Sequence, residues 1–172
     1  MAPGLVEYAV EFADDISKDI RATVTPSAAS ATQPHALFLE ALLFLLHVTD
    51  RLAYQLIGDP NRRLFMDQLL SAVQREVAAE GLLSVVLEEA YNEKQFYYQQ
   101  FTHLHDSDGQ PQERSLCWQF GFLMATEYGD SNALGAAQVA VQAVHAVRTL
   151  LEILQNPQTG VVASSSGGLT SA

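Results

Sequence analysis

Apolar residues recur every three or four positions along almost the whole chain, and nowhere do they alternate for long. That period belongs to amphipathic helices and not to strands. Leu5, Ala9, Phe12, Ile16 and Ile20 form one stripe of a first helix, about residues 4–24, which Pro26 closes. The small-residue stretch TPSAASATQP then crosses to a second helix, opened by Pro34 and running to about Ile57. Gly58, Asp59 and Pro60 punctuate the chain most clearly: a left-handed stop, a cap and a first-turn proline. The third helix carries Leu64, Phe65, Leu69, Ala72, Val73 and Val77 and breaks at Gly81. The fourth is set by Leu82, Val86, Ala90, Tyr97 and Phe101. After a turn at 105–112, a fifth helix covers about 113–128 and a sixth about 131–155.

This order predicts an all-α chain, a single-domain bundle of five or six helices with a crossover after the N-terminal helix. The bundle takes residues 1–157. Residues 158–172 are small and polar and read as a flexible C-terminal tail.

Two helices are more apolar than a bundle surface allows. On the sixth, only Gln138, Gln142, His145, Thr149 and Glu152 form a polar stripe, and the rest is mostly Ala, Val, Leu and Ile. The second is as apolar over Ala36–Leu46. A bundle of this size has room for one central helix, so the other is expected to face a second chain.

The second helix also carries the chain's most suggestive polar group. At 100° per residue, Glu40, His47, Arg51 and Tyr54 fall within about 60° of one another, with Asp50 on their flank. Two readings fit: the polar edge of a buried helix, or a strip aimed into the bundle. On the fourth helix the stripe of Leu82, Val86, Ala90, Tyr97 and Phe101 places Glu93 on the core face and Glu89 on its border. A buried carboxylate needs a partner, so Arg51 or His47 is expected to neutralise Glu93. These seven residues make the expected polar core cluster.

A metal site is the alternative use of the same residues, with Glu40, His47, Asp50 and Glu93 as ligands. It lacks the Glu-x-x-His pairs of di-metal carboxylate bundles. The stretch HLHDSDG resembles a metal loop but fails the calcium pattern, because Leu104 takes the first ligand position and Ser115 the closing one. Cys117, beside Trp118 on an apolar face, reads as a core thiol. No phosphate loop, dinucleotide fingerprint or nucleophile elbow occurs. In KQFYYQQF, Phe96 and Tyr98 lie off the stripe and are candidate interface aromatics.

Composition narrows the partners. The formal net charge is −11, from 20 acids against 9 bases. Such a surface repels phosphate backbones, so nucleic acid is excluded as a partner, and a cationic protein is favoured. The most apolar window is too short for a membrane span. The acidic N-terminal stretch does not fit a secretory leader, and a single cysteine suits a reducing, cytoplasmic setting. These features together predict a non-enzymatic, acidic protein-interaction module that self-associates and needs no cofactor. The alternative is a helical metal- or small-ligand-binding protein, conceivably an enzyme, with a carboxylate/His site between helices two and four.

Overall fold

A computed structural model describes residues 3–23, 34–79, 81, 86–105, 108–127 and 133–156. The central helix, α2 (Pro34–Ile57), shows how the others are arranged. Its run Ala41–Leu46 has no polar residue, so no face of it suits water. The fold answers by surrounding it: every residue from Glu40 to Asp50 is buried. Before it comes α1 (Pro3–Thr23); after it come α3 (Asn61–Ala79), α4 (Leu87–Tyr98), α5 (Leu116–Glu127) and α6 (Ala133–Gln155). Among the described residues there is no strand. The predicted all-helical bundle is therefore the observed fold.

All six helices contribute to one continuous core. Phe44 of α2 is its hub. Its ring stacks on Phe120 of α5 at 4.0 Å, meets Tyr98 of α4 edge-on at 6.1 Å, and approaches Phe12 of α1 at 6.4 Å. The stripe expected on α1 is buried as expected, at Leu5, Ala9, Phe12, Ile16 and Ile20. The polar stripe of α6 lies outward, exposed at Gln138, His145 and Glu152. Gln142 in that stripe ties α6 to α1 by donating to Asp19 Oδ2 at 2.7 Å. α2 is covered within its own chain from Glu40 to Asp50, while Leu56 and Ile57 at its end are exposed.

Capping explains the junctions. Gly58 takes φ +62°, and its N–H closes α2 on the Tyr54 carbonyl at 3.1 Å. The Asp59 carboxylate, expected to cap α3, instead engages the side chains of Arg62 and Arg63. The first amide of α4, at Leu87, donates to Gln74 Oε1 of α3 at 2.6 Å. Ser115 opens α5 with its hydroxyl accepting from the Trp118 N–H at 3.3 Å. Two more α5 amides, at Leu116 and Cys117, donate to the carbonyls of His103 and Leu104 at 2.8 and 3.1 Å. The chain between α4 and α5 is thereby laid across the start of α5.

The proposed tail and the domain boundary at 157/158 fall outside the described residues, as does Leu82. Leu64, expected in the core of α3, is 62 % exposed, and Met66 and Leu70 take its place.

Candidate functional site

The polar strip of α2 runs from the core outward. Glu40 and His47 are buried, Arg51 is half-buried and Tyr54 is 56 % exposed, so Tyr54 does not belong to a buried cluster. The strip divides into two separate groups.

The first group surrounds Glu40. Tyr98 donates its hydroxyl to Oε1 at 2.6 Å, and Lys94 Nζ sits 2.7 Å from Oε2. The expected neutralisation of Glu93 by Arg51 or His47 does not occur; the buried carboxylate is Glu40 of α2, and its partners come from α4. Glu93 and Glu89 are both exposed on the outer face of α4. Tyr98, expected at an interface, is fully buried. The reason is register. The core face of α4 is Leu87, Tyr91 and Tyr98, with Lys94 half-buried beside them, so the inward stripe is displaced by one residue. A step of one residue turns a helix face by 100°, which exchanges Glu93 for Lys94 and Tyr97 for Tyr98. Phe96 remains outward, 82 % exposed.

The second group is centred on His47 and Asp50. Arg62 of α3 lies 3.3 Å from Asp50 and 3.2 Å from Asp59, and its guanidinium stands 5.7 Å from the Tyr54 ring. Burial pushes the Asp50 carboxyl above its usual range, with Arg62 opposing. The Tyr91 hydroxyl faces Asp50 without reaching hydrogen-bond geometry, and burial followed by the Asp50 charge pushes its pKa up. Arg51 does not meet Glu93. Its Nη2 donates to the Phe101 carbonyl, and among the described residues its buried Nη1 has no hydrogen-bond partner. His47 is 2 % exposed and packs against the Tyr98 ring at 5.3 Å between centroids. Among the described residues neither of its ring nitrogens has a hydrogen-bond partner. Burial, reinforced by the Arg51 charge, lowers its pKa to about 3, so the imidazole is neutral at physiological pH.

His47, Asp50 and Arg51 line an open cavity of about 900 Å3. Its other walls are Gln95 of α4 and Gln99 just beyond it, the connecting residues Thr102 to His105, and Val147 and Leu151 of α6. The size falls within the range of about 300–1,000 Å3 common for small-molecule pockets. The metal alternative is not supported by placement. Glu40 is committed to Tyr98 and Lys94, Glu93 is outside, and among the described residues no three His, Cys, Asp or Glu groups converge. Cys117 is buried, and burial pushes its thiol up to about 12.

Lys94 and Arg62 were the residues overlooked in the sequence. Lys94 was findable, since Leu87, Tyr91, Lys94 and Tyr98 repeat at helical spacing. Arg62 carried no comparable signal. No protein-family model, curated protein or solved structure matches the chain. Among the described residues no helix is long and apolar enough to cross a membrane.

Proposed function

We propose that this bundle is a non-enzymatic binding protein that holds a small polar molecule in the cavity between α2, the α4–α5 connection and α6. One observation carries the reading. His47 lines that cavity, and its two ring nitrogens, shut off from solvent, are unbonded among the described residues. Buried polar groups are almost always hydrogen-bonded, and leaving one unsatisfied costs about 1–3 kcal/mol. An occupant that draws the His47 ring toward the cavity would recover that cost. Binding fits better than turnover. A histidine with a pKa of about 3 is a weak base at neutral pH, and the single cysteine is a protonated core thiol.

Two-dimensional NMR with a panel of small polar organic molecules tests this. Hits are expected to shift the backbone amides of His47, Arg51, Gln99 and His103 together. A panel whose hits leave those four unmoved, or that yields no hit at millimolar concentration, rejects the reading.

A second reading has its own support. Phe96 is 82 % exposed on the side of α4 away from the core. An aromatic presented this way suits a protein-interaction module, including a self-associating one. Light scattering at high micromolar concentration is expected to show a dimer or larger species that Phe96→Asp reduces to monomer. Monomer in both proteins rejects self-association through this face.

A further inference from the structure

Building on the cavity reading, we infer that the ligand is a neutral polyhydroxylated molecule, a sugar of one or two rings, held by the amide and hydroxyl groups of the wall and resting against the Tyr54 ring.

Access gives the first argument. An occupant meets only the side chains that reach solvent. On this wall the exposed polar residues are Tyr54, Gln55, Gln99, Thr102, His103 and Gln112. None of them carries a carboxylate, an ammonium or a guanidinium. Glutamine fills four of the sixteen wall positions, against 14 of 172 in the chain. The amide content therefore belongs to this wall and not to the surface at large.

Charge gives the second. The charged groups at the cavity cancel, with Arg51 and Arg62 against Asp50 and Asp59. Arg62 stands 3.3 Å from Asp50 and 3.2 Å from Asp59, and Arg51 is turned to the Phe101 carbonyl. A charged ligand would give up hydration here for no net countercharge, which is costly. A neutral ligand has no such cost.

Hydrogen-bond inventory gives the third. A carboxamide, a hydroxyl and a neutral imidazole each both donate and accept. Every hydroxyl of a sugar does the same. The oxygen and the amino group of one glutamine can serve two hydroxyls on neighbouring carbons at once. A carboxylate only accepts and an ammonium only donates, so either leaves half of each amide unused.

Shape completes the case. A sugar ring has C–H faces that lie against carbon surfaces while its hydroxyls point to polar groups at the side. Arg62 stands over the Tyr54 ring at 5.7 Å, and with 56 % of the residue exposed the ring still offers area to an occupant. Leu104 and Leu151, both half-buried, add aliphatic surface to the same wall. A two-ring sugar is of the size that cavities in this range bury.

The experiment titrates the full chain with maltose, cellobiose, lactose and sucrose, followed by two-dimensional NMR. At least one is expected to bind at millimolar concentration and to shift the amides of Gln55, Gln99, Thr102 and His103 together. Glucose is expected to bind at least about fivefold tighter than glucosamine or glucuronate, which carry a charge on the same ring. Gln99→Ala and Tyr54→Ala should each weaken the tightest disaccharide about fivefold. Both residues are exposed, so the variants should keep the wild-type melting curve. Tighter binding of glucosamine or glucuronate, with the cavity amides shifting, overturns the neutral assignment and leaves the cavity reading intact. An affinity unchanged in either variant overturns the contacts assigned here. Absence of binding by all four disaccharides at tens of millimolar overturns the sugar assignment, and the broader panel above then decides separately whether the cavity binds anything at all.

Discussion

Urea unfolding of wild type and His47→Phe from pH 7 down to pH 4 is expected to give diverging stabilities, with the wild type losing more as acid is added. His47 is neutral in the fold, with a pKa near 3 because of burial and then the Arg51 charge. In the unfolded chain it titrates near 6.5. Between these values the unfolded state binds a proton that the folded state refuses. Stability therefore rises with pH across this window and falls as pH drops through it. At about 1.4 kcal/mol per pH unit, the whole window amounts to on the order of 5 kcal/mol, of which about 3.5 kcal/mol falls above pH 4. Asp50 works the other way, because its raised folded pKa favours the fold as acid is added above the usual carboxylate range. Subtracting the His47→Phe curve isolates the histidine contribution from that of Asp50 and the other acids. Parallel curves would mean that His47 is solvated or charged in the fold and is not an unsatisfied group beside the cavity.

Gly121→Ala is expected to lower the unfolding free energy by about 3 kcal/mol and Tm by roughly 6–12 °C for a chain of this size. A Cβ at Gly121 would lie 2.3 Å from the Ala136 carbonyl oxygen, 2.8 Å from the Ala140 nitrogen and 2.9 Å from the Ala140 Cβ. Two of these three atoms are backbone of α6, so no change of rotamer relieves them. The helices must separate, and the packing along their seam is lost with the separation. The sign is the informative part. In an ordinary helix interior, glycine to alanine is worth about 1 kcal/mol in favour of the helix. Ala140→Gly in the alanine-121 background should restore little, since the backbone atoms remain. Calorimetric melting of the three proteins checks this, and an unchanged or raised Tm in Gly121→Ala would show that α5 and α6 are not in such close contact.

Most of the architecture was legible because it is local. The stripe on α1, the stop at Gly58 and the polar edge of α6 each follow from residues within a few turns of one another. The error on α4 came from anchoring its register on Leu82 and Val86, although the helix begins at Leu87 and Val86 is 55 % exposed. One residue of offset was enough to place Glu93 inside and Lys94 outside. The cavity was illegible for a different reason. Its walls combine a helix, a non-periodic connection and a second helix about a hundred residues further on, and periodicity has no term for such a meeting. What the sequence did offer was His47, Asp50 and Arg51 as a group, and these do share a wall.

Phe101 to Leu104, just after α4, are fastened to two helices. Arg51 of the central helix grips the Phe101 carbonyl, while two amides at the start of α5 take the carbonyls of His103 and Leu104. This stretch behaves as a strap buckled to two posts. Releasing it from α5 uncovers amides that the helix needs at its start, and α5 is locked to α6 one turn later at Gly121. The rim of the cavity is therefore expected to open as one cooperative unit with the α5–α6 pair. An occupant that fastens the rim would slow the breathing of helices it never touches.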